Sequence, residues 1–173
     1  MGLILTIGDP STVLDKPTAI LVTSKIKAEL GISVSIKLLH RGKSSEELAW
    51  SGWRKLQTSA TEILGAEQIP HLLAVDAWFG VYLGHRIEPI TLEIGSGIPP
   101  LQCASLPSLI EEIELYGQTR ELATEDERLK QMWTTYMSDD NLVDRDFDVQ
   151  VYLQLLHLAR LGMKRRMPLW VVK

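Results

Sequence analysis

Hydrophobic positions along the chain follow two periods in turn. "LILTI" (3–7) is a short apolar run and predicts a buried strand. "SVSIKLL" (33–39) alternates apolar and polar residues and predicts a second strand. Between them Asp15 and Pro17 open a predicted helix over 18–30, and Gly31 stops it. Ser44 with Glu47 makes a capping-box pattern, in which each side chain satisfies a backbone N–H that the first helical turn leaves unpaired. That pattern predicts a helix running to Leu64, with Ala49, Trp53, Leu56, Ala60 and Ile63 as its apolar stripe. Two short strands, 72–75 and 80–83, follow as a predicted hairpin, and "PITLEI" (89–94) as a further strand.

Beyond this point the helical period dominates. Ser105 and Pro107 open a helix through Leu109, Ile110, Ile113 and Tyr116, with Gly117 as its expected stop. Thr124 with Glu127 is another capping box, followed by the stripe Leu129, Met132, Trp133 and Tyr136. A last helix is expected over 147–161, and "PLWVVK" reads as a terminal strand returning to the sheet. The expected fold is α/β or α+β: a mixed sheet, an N-terminal β-α-β-α-β-β order and a mainly helical C-terminal half. At 173 residues the chain is expected to form one domain, sheet-rich over 1–103 and helical over 104–173. The element order, with Pro70 ahead of a strand, permits a thioredoxin-like arrangement by analogy of order alone; the segment after the first strand, "GDPSTVLD", has no cysteine for redox chemistry.

Charge is distributed unevenly. Residues 104–148 carry four Lys/Arg against twelve Asp/Glu, and residues 149–173 carry five Lys/Arg and no acid, within a chain of net charge −4. One cysteine, Cys103, excludes an internal disulfide and dithiol chemistry, so a cytoplasmic location is expected. No apolar run approaches the roughly 18 residues of a membrane span, and no basic leader is expected in "MGLILTIGDP". Gly2 and Thr6 stand in register for an N-myristoylation pattern, but a buried first strand explains the same residues.

"SDDNLVDRDFDVQ" (138–150) concentrates five aspartates. Counted from Asp144, a calcium loop needs Gly at its sixth position and Glu at its twelfth; Val149 and Leu155 stand there instead. A helix start explains Asp144, Asp146 and Asp148, with Lys164, Arg165 and Arg166 complementing the far end of the same helix. The basic tail has no interleaved aromatic residues and the chain is acidic, so nucleic acid is not an expected partner. His71 and His85 flank the predicted hairpin and are expected nearly opposite each other, too few ligands for zinc, so no metal and no cofactor are expected. Neither GxSxG nor HExxH occurs, and whether the chain is an enzyme stays open.

Two functional expectations remain. "HRGKSS" (40–45) follows a predicted strand and opens a predicted helix, which suits capture of a small anion or phosphate. Lys37 replaces the first glycine of a nucleotide-triphosphate loop, so a weaker site is expected, formed by Asp9, His40, Arg41, Lys43 and Ser44 at the carboxyl edge of the first two strands. The other expectation is a non-catalytic interaction domain that meets a basic protein partner through an acidic helical surface: Glu111, Glu112 and Glu114 on one helix, and Glu125, Asp126 and Glu127 on the next. Trp50, which breaks the polar face of its helix, is assigned to the same partner contact.

Overall fold

The computed structural model of the chain describes residues 2–36, 42–76, 78–95, 97–138 and 147–172, with backbone alone for 137 and 138. The elements in order are β1 (Gly2–Ile7), α1 (Lys16–Leu30), β2 (Lys43–Ser44), β3 (Leu48–Ala49), α2 (Trp50–Leu64), α3 (Pro70–Leu73), β4 (Phe79–Leu83), β5 (Ile90–Leu92), β6 (Leu101–Ser105), α4 (Leu106–Thr119), α5 (Asp126–Ser138), α6 (Phe147–Arg165) and β7 (Leu169–Val172). They form an α+β fold on a mixed sheet of strand order β2-β1-β7-β4-β6-β5, with β3 also paired to β1. The terminal strand therefore lies inside the sheet. β7 runs antiparallel to both β1 and β4, while β4 and β6 run parallel, so β1, β4 and β6 share one direction.

Alternation along the strands builds two cores. Leu3, Leu5 and Ile7 of β1, Tyr82 of β4, Ala104 of β6, and Leu169 and Val171 of β7 face a helical layer made by α2, α4 and α6, with α3 and α5 beside it. Val81, Leu83, Cys103 and Trp170 point the other way and pack with Val22 and Ile26 of α1. The Trp170 indole N–H donates to the Gly8 carbonyl at 3.0 Å, so the polar end of this large buried ring is satisfied. In the helical layer α2 crosses α6 at Gly52, where a Cβ would lie 2.7 Å from the Phe147 carbonyl oxygen; only glycine lets the two backbones come that close.

Several local signals act as expected. Asp15 caps α1 by accepting the Thr18 N–H, and Gly31 closes the helix at φ +68°. Ser105 caps α4 by accepting the Ser108 N–H. Asp148 stands in the first turn of α6, with Lys164 and Arg165 in its last.

Other expectations are corrected. Residues 33–36 form no strand, and 37–39 lie outside the described residues. Ser44 and Glu47 do not open a helix: Ser44 pairs with Thr6 in β2, and α2 begins at Trp50 without a side-chain cap. The Ser45 N–H donates to the Leu5 carbonyl at 2.7 Å and its hydroxyl accepts the Leu5 N–H at 3.0 Å, so pairing to β1 replaces the local capping bonds. Pro70 opens the short helix α3 where a strand was expected, which removes the hairpin and the thioredoxin-like order together. Gly117 does not end α4, which continues to Thr119. Strand β6, "LQCAS", was not anticipated. Among the described residues no helix is long and apolar enough to cross a membrane.

Candidate functional site

Lys43 and Ser44 reach the site by strand pairing rather than at a helix start. Lys43 pairs with Ile7 and Ser44 with Thr6, which sets β2 on the edge of the sheet beside the helical layer. The Lys43 ammonium lies 3.2 Å from His157 Nε2 on α6. Gln154, one turn earlier on α6, accepts the Glu46 N–H at 3.1 Å and pins the end of this segment to the helix. Between β2, α5 and α6 a cavity of about 280 Å³ remains. Its apolar wall comes from Leu129 and Trp133 on α5 and Leu153 and Leu158 on α6; Lys43, Glu46, Lys130, Gln154 and His157 are polar groups on its lining. Helical spacing accounts for both walls, since 129 and 133, and 153 and 157, each lie one turn apart.

The cavity carries charges of both signs: Lys43 and Lys130, and the Glu46 carboxylate. Burial, then the neighbouring Lys43 ammonium, hold the His157 ring below the usual histidine range. A neutral ring accepts the Lys43 N–H at Nε2, which leaves its proton on Nδ1. Lys130 also donates to Glu127 at 3.1 Å, on the exposed side of α5. The two nearby hydroxyls are committed within the protein: Ser44 Oγ lies 2.9 Å from Thr6 Oγ1, and Ser45 Oγ donates to the Glu46 carbonyl at 2.6 Å.

The other residues expected at this edge are distributed differently. His40 and Arg41 lie outside the described residues. Asp9 Oδ1 accepts the Ser11 N–H at 2.8 Å and also its hydroxyl, and so caps a short turn. Asp9 lines a second cleft of about 870 Å³, which among the described residues shares no wall residue with the first. His157, Lys130, Trp133 and Gln154 were not singled out from the sequence. Their spacing predicts helices, but no local signal says that α5 and α6 line a cavity with residues 43–46.

Most of the acidic residues assigned to a partner surface stand beside a cationic side chain. Glu111 forms a two-bond ion pair with Arg86. Glu112 is buried and accepts the N–H groups of His71 and Leu72 at 3.0 and 2.8 Å, which makes it the cap of α3; this corrects its expected exposure. Glu114 and Asp126 both pair with Arg160, each at 2.8 Å. Glu127 pairs with Lys130, and Glu125 is exposed. Trp50 is half-buried and sets its ring edge-on to the exposed Trp78, with centroids 6.0 Å apart, while the Arg54 guanidinium lies over it at 5.4 Å.

The two histidines of the expected hairpin are not opposed. His71 is buried on α3, where its Nδ1 accepts the Ser105 N–H at 3.2 Å, and His85 is exposed after β4. Asp144 and Asp146 lie outside the described residues, while Asp148 is buried with one carboxylate oxygen 3.6 Å from Arg120. Among the described residues no three His, Cys, Asp or Glu side chains gather to hold a metal. No family model, curated protein or solved structure matches this chain.

Proposed function

We propose that this protein binds a small organic anion, a carboxylate or phosphate carried on one apolar ring or short chain, in the cavity between β2, α5 and α6. The observation that carries the reading is the convergence of Lys43, Lys130 and His157 on one apolar-walled cavity. Small-ligand sites combine mostly apolar walls with a few convergent polar groups, and this cavity has that composition. About 150 Å³ suffices to hold benzene in a protein interior, so about 280 Å³ has room for a substituted ring. An arriving anion would meet the Lys43 ammonium and Lys130, which it would share with Glu127, and a proton on His157 would add positive charge to offset Glu46.

Binding is favoured over catalysis because both serine hydroxyls are already hydrogen-bonded within the protein and the His157 lone pair is held by Lys43. An acidic docking surface for a basic partner draws less support. Glu111, Glu114, Asp126 and Glu127 each have a cationic partner, and Glu112 is inside.

Calorimetric titration of the full chain with benzoate, phenyl phosphate and neutral benzyl alcohol tests the proposal. The expected result is saturable one-to-one binding of at least one anion, lost on Lys43→Met. Absence of binding by both anions, or equal binding of benzyl alcohol, overturns it.

A further inference from the structure

We infer that the cleft at the carboxyl ends of β1 and β4 is a separate site for a phosphate monoester bearing hydroxyl groups, such as a sugar phosphate. The inference does not rest on the cavity beside α6. The cleft measures about 870 Å³. Its polar wall comes from four segments: Asp9 after β1, Ser33 and Ser35 after α1, His85 after β4, and Arg165 and Arg166 at the end of α6. β1 and β4 run in the same direction with β7 between them, so the loops that follow both strands open on one edge of the sheet. That edge is where open sheets with parallel strands collect ligands.

Two hydrogen bonds hold the chain beside Asp9 and Pro168, which line the cleft. The Gly8 N–H donates to the Pro168 carbonyl at 3.2 Å, and Trp170 Nε1 donates to the Gly8 carbonyl at 3.0 Å. Asp9 Oδ1 is held by Ser11, which leaves Oδ2 to accept a ligand hydroxyl. Among the described residues no Phe, Tyr or Trp lines the cleft; hydroxyls and phosphate match its serines, carboxylate and arginines.

The end of α6 is basic. The carbonyl end of a helix carries roughly half a negative charge, and Lys164, Arg165 and Arg166 bring three positive ones. Arg166 is also placed with care. α6 closes with the Met167 N–H on the Gly162 carbonyl at 2.9 Å, and the residue at the turn takes a left-handed conformation, φ +56°. Glycine serves best there, as Gly31 does after α1. Glu121 occupies the same position after α4, so the conformation alone argues nothing. Arg166 differs because its side chain lines a cleft and has no carboxylate partner among the described residues. Guanidinium groups suit phosphate because their N–H donors match two oxygens at once.

The test is calorimetry on the full chain at constant ionic strength with ribose 5-phosphate, inorganic phosphate and ribose. Arg166→Gly and Arg166→Asn both suit a left-handed position and so preserve the turn; Arg128→Ala, exposed on α5, controls for general charge loss. The expected result is one-to-one binding of ribose 5-phosphate, weakened at least about tenfold in both Arg166 variants and unchanged in Arg128→Ala. No saturable binding of ribose 5-phosphate, or equal weakening in all three variants, overturns the site. Inorganic phosphate binding as tightly as the sugar phosphate overturns the hydroxyl part of the class.

Discussion

Tyr152 of α6 lies directly across Gly117 of α4: a Cβ at Gly117 would fall 2.8 Å from Tyr152 Cζ and closer still to its hydroxyl. The same hydroxyl donates to the Ala123 carbonyl at 2.7 Å, so the ring ties α6 both to α4 and to the loop that follows it. The glycine that the local pattern assigns to a helix stop is kept for its missing side chain.

Gly117→Ala should therefore destabilise the protein by about 1–3 kcal/mol, the usual penalty for overpacking a filled site. Urea denaturation measures this. Gly117→Ala combined with Tyr152→Phe should cost less than the sum of the two single changes, because both act on one contact. Strict additivity would show that the contact does not limit α4–α6 packing.

Glu112 should make stability fall as pH rises toward and through neutrality. Burial pushes its carboxyl up to about 7, against the opposing pull of the His71 and Leu72 N–H groups. The folded state thus holds this proton more tightly than the unfolded chain, whose carboxyl titrates near 4.3. The contribution is fully present below that unfolded value and is lost as pH rises through about 7. Glu112→Gln removes the titration. Its stability relative to the unmodified protein should improve from pH 5 to pH 8 in urea titrations, and a constant difference would contradict the assignment.

His157 should titrate higher once Lys43 is gone. Burial and Lys43 both lower it, and Lys43→Met removes only the second. The ring's proton resonances, followed against pH by NMR, should shift to a higher midpoint that stays below the ordinary histidine value of about 6.5. An anion in the cavity should raise the midpoint in the unmodified protein, because it favours the charged ring.

Cys103 should be inert in the folded protein. It is fully buried in β6, and burial pushes its thiol up to about 12. Labelling by a thiol reagent at pH 8 should run more than about a hundredfold slower than in urea, since the thiolate is the reactive form. Fast native labelling would mean that β6 opens readily.

The sequence by itself determined the elements whose signals are local. The caps Asp15 and Ser105, the terminator Gly31, the apolar stripes of α4 and α5, Trp53, Leu56 and Ala60 of the α2 stripe (Ala49 lies in β3 and Ile63 is exposed), and the runs of β1 and β7 all depend on residues within a few positions of one another, and local bonds enforce them. It failed where a distant partner supplies the competing bond. Ser44 left its capping box with Glu47 for Thr6, and its neighbour Ser45 bonds Leu5, each about forty residues away, because a strand pair satisfies more backbone groups than a cap does. Residues 70–73 became a helix because the Glu112 carboxylate, from another element, takes two of its free N–H groups.

The candidate sites divide along the same line. Lys43, Ser44 and Asp9 were legible as polar residues beside a strand. Tertiary structure alone decided that β7 enters between β1 and β4, that α5 and α6 stand beside Lys43, and that Asp9 and Arg166 line a different cleft. It also decided that the acidic helices meet Arg86 and Arg160 rather than solvent alone. Net charge is a sum over sequence, whereas a charged surface or a binding site depends on which side chains share a space, and long-range packing sets that.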